Sequence, residues 1–456
     1  MEAENPPTIV ESRRCRTDKN LVAFIIERGM RLIEPMERHV LFWISIKSND
    51  YAWWMYENYD GQRVCNWLKH PLNLHSNNSK NRLMEQLNQL IAYCEPNSYV
   101  LKVAYLGRAL MAYESKEDFY CMYNIWDAEE IDAILNFPNE SAKREFDELY
   151  DRAHSRRLGN RYPSPYNDRS NCINYVVCNN SPRYGRYLHG KWNVMKGNLV
   201  LRELPFVRLL LSGDRWMRCH HCLIYAPLVL IPCRGCSIML YCSKSCRDRA
   251  KQEYHSFECP IIFMLLSQYT PIEVLALRST ICAYKKFYEM PGVLENFIRS
   301  VCMSEKWVHQ YCTPNGRYKN PEDAYGKVYQ LATNRSRLTR EKLTTDGLRG
   351  VALAKLLVRA NNIPTSNVEL LAELTVRHMH ILRVNALVLH CSVDDPAKDC
   401  FDDRSVPYAL ALVTTGSMFN HSCTPNVDYS LSTDGTIEFR ANRNIPWGKQ
   451  MRINYR

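Results

Sequence analysis

No stretch of this chain comes near the ~18 consecutive apolar residues that a membrane span requires. Apolar runs such as LVLIP and IIFMLL are far shorter. The N-terminus, MEAENPPTIVESRR, lacks a basic n-region leading into an apolar core, so no secretory signal is read there. The two absences exclude spanning and secreted classes and set the expectation of a soluble, intracellular protein with no membrane partner. Positive charge is in excess without being gathered. Lysine and arginine number 59 against 48 acidic residues, a net charge of +11, and only RAHSRRLGNRYPSPYNDR concentrates it. A solvated basic surface accounts for that spread, and sequence-specific DNA binding is not expected.

What the chain does have is length and cysteine. Its 456 residues, 46% of them apolar, leave room for two to four domains with cores that need no disulfides. In a reducing compartment its nineteen cysteines point to metal sites rather than to a disulfide framework. Residues 1–165 read as helical, with apolar residues at helical spacing in LVAFIIERGMRLIEPMERHVLFWISI, NRLMEQLNQLIAYC and VLKVAYLGRALMAYES. One repeat-like unit, around LGRALMAYESKEDFYCMYNIW, leaves a helical-repeat array and an irregular bundle both open. The polar stretch NRYPSPYNDRSNCIN reads as a linker.

Beyond it the texture changes. RYLHG, NLVLREL and FVRLLL are β-like, with a turn at NVMKGN between the first two, and VDYSLSTDGTIEFRANRNI reads as a hairpin closed at Asp434 and Gly435. Between these strand-rich segments lie a cysteine block and about 120 residues of helical pattern. The order suggests one β-domain interrupted twice, in the α+β class. The segments are 172–217 and 381–456 for the β-domain, 218–260 for the cysteine block and 261–380 for the helical insertion.

The block CHHCLIYAPLVLIPCRGCSIMLYCSKSCRDRAKQEYHSFEC offers Cys219, Cys222, Cys233, Cys236, Cys242, Cys246, His255 and Cys259. Two C-x2-C pairs, one C-x3-C and one H-x3-C make eight ligands, enough for two closed tetrahedral zinc sites. The last two pairs at helical spacing put both ligands on one face. So short a segment has little core, and metal would supply its folding energy. Closed ligand sets mark the zinc as structural. His220 and His221 adjoin the first pair as competing ligands.

Near the C-terminus FNHSCTPNVDY sets Asn420, His421, Ser422 and Cys423 side by side. A Cys–His nucleophile needs a third group to orient the imidazole, and none is near in sequence. A zinc site needs a second ligand pair, and no C-x2-C follows.

The cysteine block, with Trp216 before it and Tyr241 within it, resembles the MYND zinc finger. That resemblance implies interleaved zincs, one on Cys219, Cys222, Cys242 and Cys246, the other on Cys233, Cys236, His255 and Cys259, in a module that docks proline-rich peptides. NHSCTPN, followed by a hairpin and a terminal INY, resembles the SET domain of protein-lysine methyltransferases. The whole is similar to the SET-MYND family, most like its subgroup with tetratricopeptide-like N-terminal helices; the likeness covers residues 172–456 well and the first 165 weakly. It implies methyl transfer from S-adenosylmethionine to a lysine of histone or non-histone proteins, in cytoplasm and nucleus. Asn420 and His421 would lie beneath a threaded C-terminal segment and contact the cofactor. In PRYGRYLHG, Tyr184, Gly185, Arg186 and Tyr187 would hold its methionine part, with Asn385 nearby, and Tyr455 would line the lysine channel as the catalytic residue.

The pattern also departs from the family. Tyr187 stands where a second glycine is usual, implying a reshaped cradle, and Gly448, Lys449, Gln450 replace Gly-Glu-Glu. The family's post-SET cysteine segment, which would bind a third zinc with Cys423, is expected to be absent. Cys423 is then expected to be a small buried hydrophobe. These departures support the alternative of a catalytically inactive adaptor that binds partners through its finger and helical arm.

Overall fold

The computed structural model describes residues 77–93, 99–115, 172–173, 176–181, 185–236, 238–287, 321–392 and 405–455, with isolated positions including Asp18 and Asn124. Tyr184, most of the first 76 residues and most of the linker lie outside the described residues. The chain divides into two compact units: residues 1–45, 165–211 and 251–456, and residues 46–164 and 212–250. Helices and strands together make an α+β protein.

The strands of the larger unit begin with β1 (Cys172–Ile173), β2 (Val176–Ser181), β3 (Gly185–Gly190), β4 (Leu199–Glu203) and β5 (Val207–Leu210). Two short strands of the smaller unit are β6 (Ile231–Pro232) and β7 (Leu240–Tyr241). The larger unit resumes with β8 (Leu387–Ser392), β9 (Ser405–Leu412) and β10 (Asn420–His421). It ends with β11 (Val427–Leu431), β12 (Ile437–Ala441) and β13 (Gln450–Ile453).

The strands of the larger unit form three sheets, ordered β1-β4-β12-β11, β10-β13-β3-β2 and β5-β9-β8, and β6 pairs with β7 in the smaller unit. Alternation decides which face is buried. Leu387, Leu389 and Cys391 of β8 point inward, as do Ile437, Phe439 and Ala441 of β12. The β11–β12 hairpin closes where Asp434-Gly435 anticipates it, with Gly435 at φ 80°. NVMKGN makes the turn read there, Asn198 N–H donating to the Met195 carbonyl at 3.1 Å, but β3 and β4 belong to different sheets, and Val194 bridges to Ile445.

Three long helices, Pro271–Lys286, Arg340–Ala360 and Val368–Asn385, pack on one another. The last runs five residues past the boundary read at 380 and so carries Asn385 at its end. The first begins with a capping box. Thr270 N–H donates to Glu273 at 2.8 Å, and the Thr270 hydroxyl accepts from Glu273 N–H at 3.4 Å, with proline at the first helical position. Within the second, a Cβ on Gly350 would collide with Val376, so the absent side chain sets how closely two helices approach.

Two buried ionic clusters tie these helices down. Arg278 forks onto Glu258 at 2.8 and 2.9 Å, donates to the Arg208 carbonyl of β5, and lies 4.1 Å from the Tyr254 ring centroid. Burial alone would raise the Glu258 carboxyl; the Arg278 charge and the hydrogen bonds from His255 and Arg278 together outweigh it and hold the group below its ordinary value. In the second cluster the buried imidazole of His380 lies 3.5 Å from Asp18 and 3.3 Å from Asp346, and Arg383 grips Asp346 with both guanidinium nitrogens. These histidine contacts are long for hydrogen bonds, so charge attraction carries them. Burial opposes the imidazolium, yet the two aspartates raise its pKa above the ordinary 6.5.

In the smaller unit, helices Asn77–Tyr93 and Tyr99–Glu114 pack together beside the β6–β7 ribbon. The fully buried Arg108 donates to Asn124 Oδ1 at 2.6 Å, Asn88 Oδ1 at 3.0 Å and the Leu230 carbonyl at 2.6 Å. Asn88 in turn donates to the carbonyls of Trp216 and Pro227, and Asn124 to that of Leu228. A cysteine block with so little regular ladder leaves carbonyls in need of donors, and the helical arm supplies them. The two segments that read as separate in sequence share one compact unit.

His380 sets a pH dependence of stability. Its contribution is full below the unfolded value near 6.5 and is lost as pH rises through the raised native value. Urea unfolding of the wild type should therefore show stability declining as pH rises above about 6.5, and His380→Gln should flatten that decline. An equal slope in both proteins would remove the cluster from the account.

Candidate zinc centres and cofactor cleft

The structure brings the eight candidate ligands into two groups. The ligating atoms of Cys219, Cys222, Cys242 and Cys246 lie within 4.8 Å of one another, as do those of Cys233, Cys236, His255 and Cys259. Local geometry makes each half. In the turn after Cys219, the N–H groups of His221 and Cys222 donate to its sulfur at 3.4 and 3.5 Å. Gly235 N–H does the same for Cys233 at 3.3 Å. Cys246 lies on the helix Lys244–Ala250, followed by a π-helical turn, Lys251–His255, and Cys259 N–H donates to the His255 carbonyl at 2.7 Å.

Four sulfurs in a buried space are costly without a cation. Burial pushes the Cys222 thiol up, and hydrogen bonding with Cys219, Cys222 and Cys246 pushes that of Cys242 up. A divalent ion reverses that logic by binding the thiolates. Complete sulfur-rich sets of four fit two structural zinc ions, with no position left for substrate. His220 is engaged elsewhere, its Nδ1 accepting from Leu240 N–H at 3.0 Å, and neither it nor His221 joins a ligand group.

The second site is built on a crossing. β10 runs parallel to β13, pairing Asn420 with Arg452 and His421 with Ile453, and Ser422 N–H donates to the Ile453 carbonyl at 2.9 Å. Asn426 staples the crossing. Its side chain donates to the Gln450 carbonyl at 3.0 Å and accepts from Arg452 N–H at 2.7 Å. The C-terminal strand thus lies against the NHSC segment. On its other side β13 pairs with β3, which carries Gly185, Arg186 and Tyr187 into the same sheet.

Beside this crossing is a cleft of about 100 Å³, lined by Asn385, Ser417, Tyr429, Ile453 and Tyr455 among others. Asn385 spends its amide nitrogen on the carbonyls of Ala332 and Ile381, both at 2.7 Å, which leaves its oxygen to accept from a ligand. The Tyr455 hydroxyl donates to the Phe419 carbonyl at 2.5 Å, although the residue as a whole is 49% exposed. Burial of that hydroxyl raises its pKa, so it remains protonated near neutrality. The Asn385 acceptor and the aromatic wall fit the amino-acid end of a ligand such as S-adenosylmethionine, while a whole nucleoside needs more room.

The other nominated residues lie outside the cleft lining. Gly185 is exposed at φ 62°, Arg186 donates to the Gln330 carbonyl at 2.9 Å, and the Tyr187 ring is 6.1 Å from His189. Asn420 is half-buried and His421 exposed. His421 Nδ1 accepts from Tyr455 N–H at 3.2 Å, which leaves the ring proton on Nε2, 3.3 Å from Cys423 Sγ. A nitrogen carrying its proton is no base for the thiol, so this pair is not an activated nucleophile. Cys423 itself is exposed. That corrects the expectation of a buried hydrophobe: the tight turn after β10 turns its sulfur outward onto the histidine.

Sequence reasoning missed Glu203. This buried β4 carboxylate accepts from the N–H groups of Thr414, Thr415 and Gly416 at 2.9–3.0 Å and from the Thr414 hydroxyl. It fixes the turn that delivers Ser417 to the cleft, where the Ser417 hydroxyl donates to the Asn385 carbonyl at 3.0 Å. Gly416 must lack a Cβ, which would strike the Phe439 ring and lie 2.7 Å from Val413.

Two outcomes follow for this region. Native mass spectrometry should find two zinc ions per chain, and Cys246→Ser should lose one and destabilise the finger. Glu203→Ala should cost roughly 3 kcal/mol or more in urea unfolding, because several buried N–H groups lose their acceptor together. A loss below about 1 kcal/mol would mean the turn holds itself.

Against known proteins, residues 75–456 match the family model described as the SET domain. Among curated relatives, the chicken protein-lysine N-methyltransferase SMYD4 is 26% identical over 339 residues, 60% of this chain and 44% of its own length. The human SMYD4 is 27% identical over 338 residues, 59% of this chain and 41% of its own. The chain thus spans less than half the length of these relatives. Among solved structures, the SET domain of LSMT bound to lysine and AdoHcy overlaps 62% of this chain and 49% of its own, with a TM-score of 0.27 at 10% identity. The match across most of the chain, together with the four-cysteine and three-cysteine–histidine groups, makes this protein a member of the SET domain family, of the SET-MYND kind.

Proposed function

We propose that this chain is a protein-lysine N-methyltransferase that uses S-adenosylmethionine. The observation that carries the reading is the parallel pairing of β10 with β13, which sets Asn420 and His421 against the strand that ends at Tyr455, beside the cleft lined by Asn385. S-adenosylmethionine, when bound, would supply a methyl group on a sulfonium sulfur, open to in-line displacement by a neutral amine.

The chain's own residues have three tasks. Asn385 offers its amide oxygen as an acceptor for the amino group of the ligand. Tyr455 holds a fixed direction through the Phe419 carbonyl, with its ring 5.3 Å from that of His421, and so lines up the incoming side chain. Tyr429 and Ile453 line the cleft beside Tyr455, and desolvation of a lysine entering it would penalise the ammonium form and favour the amine that reacts. Orientation of two reactants is itself a large part of such catalysis. Histone or non-histone proteins as substrates, proline-rich peptides on the finger, and residence in cytoplasm and nucleus belong to the same proposal; the SMYD4 names support only lysine methylation in general.

Calorimetric titration of the zinc-loaded chain with S-adenosylmethionine tests it, with Asn420→Ala as control. Binding that weakens in the variant supports the reading. Methyl transfer to a lysine peptide should then fall on the order of a hundredfold in Tyr455→Phe, which loses the hydroxyl anchor but keeps the ring. A folded, zinc-replete chain that binds no cofactor would overturn the proposal and leave an adaptor on the same fold.

A further inference from the structure

Two turns of the larger unit, residues 191–198 and 442–449, are zipped into one plate. Val194 and Ile445 exchange backbone hydrogen bonds at 2.8 Å, Lys196 N–H donates to Asn444 Oδ1 at 2.9 Å, and Trp447 N–H donates to Asn193 Oδ1 at 2.7 Å. Val194 and Ile445 are buried and form its inner side. Its outer side is unusual. Trp192 is 61% exposed, Met195 57% and Trp447 71%, three of the five large apolar residues that stand exposed among those described.

Around them stand the exposed Lys191, Lys196 and Lys449, none with a carboxylate partner among the described residues, and neither turn contains an aspartate or glutamate. The acids beside the plate are already engaged: Asp428 accepts from the Asn442 amide at 2.9 Å and faces Arg440 across the hairpin, and Glu438 is paired at 2.7 Å with Arg440, whose guanidinium also donates to the Gly197 carbonyl. Gly197 and Gly448, at φ 86° and 71°, sit in open space where a Cβ would meet nothing within 4 Å, so the turns project.

We infer that this plate is a docking surface for an anionic lipid bilayer, with Trp192, Trp447 and Met195 entering the headgroup boundary and the three lysines holding acidic headgroups. Indoles favour that boundary, apolar area and lysine charge add there, and projecting tips suit a fluid interface. A peptide wants a groove or a strand edge, whereas this face is made of turn tips. Nucleic acid would reward the exposed indoles and the charge, but it gains nothing from Met195. The absence of a spanning segment underlay the expectation of no membrane partner, and it does not bear on a surface of this kind.

Co-sedimentation of the full zinc-loaded chain with vesicles decides it. Vesicles of equal parts phosphatidylcholine and phosphatidylserine should retain the chain and shift its indole emission to the blue; phosphatidylcholine alone should retain little. Trp192→Ala with Trp447→Ala should weaken retention tenfold or more, and Lys191→Gln with Lys196→Gln and Lys449→Gln on the order of a hundredfold. Both sets should keep two zinc ions and the wild-type melting midpoint, since the exchanged side chains are exposed. No retention by a folded chain overturns the inference. So does retention insensitive to the tryptophans, which would reflect net charge alone. A dependence on these residues for an RNA oligonucleotide or a glutamate-rich peptide, without vesicle binding, assigns the plate to another partner.

Discussion

The parallel contact between β10 and β13 is the constraint on which the candidate site depends. Two residue pairs, Asn420 with Arg452 and His421 with Ile453, make a short ladder that would not hold alone. It holds because both strands are fixed from elsewhere. β13 is paired on its far side with β3, Asn426 grips β13 at Gln450 and Arg452, and Glu203 anchors the turn that feeds β10. With the crossing in place, Tyr455 falls where its hydroxyl meets Phe419 and its backbone meets His421. Without it, those residues are separated by more than thirty positions of chain and have no reason to meet.

The two kinds of site are stabilised by different physics. The cysteine groups gain their energy from a metal bond formed among neighbours in sequence, so four ligands and one ion define each group with little help from a core. The cleft gains its order from buried polar groups that must be satisfied together. Glu203 is the clearest case: a carboxylate out of water is tolerated because several N–H donors converge on it, and those N–H groups are tolerated because the carboxylate is there. Arg278 with Glu258 and Arg108 with the two asparagines follow the same rule inside their own units.

That difference explains what the sequence made legible. The zinc ligands could be read because their spacing is local, and the hairpin could be read from Asp434-Gly435 for the same reason. Asn385 and Tyr455 were reached through a family resemblance, which carries long-range information that spacing does not. Glu203 was hidden because its partners are some 211 residues away in a segment that folds back to it. Asn88 and Arg108 were hidden likewise, since an asparagine and an arginine on amphipathic helices look like solvent-facing residues until the carbonyls they serve are known. Cys423 was misread because a short-range pattern cannot say which way a tight turn aims a sulfur. The NVMKGN turn was legible for the same local reason, while the pairing of β4 with β12 rather than with β3 was not, because a turn sequence fixes a reversal and says nothing of which strands pair across it.

The imidazole of His421 shows how one contact settles a chemical question. In sequence it stands two residues from a cysteine, which permits a base for a thiol. In the fold its Nδ1 accepts from the Tyr455 backbone, so the proton is on Nε2, toward the sulfur. The backbone bond that helps the C-terminal segment lie against β10 therefore also removes the competing chemistry. A ring in that tautomer can brace Tyr455, and it does so from the side at which the two aromatic rings approach within 5.3 Å. The histidine next to Asn420 is thereby placed as a support for the tyrosine rather than as a base for Cys423.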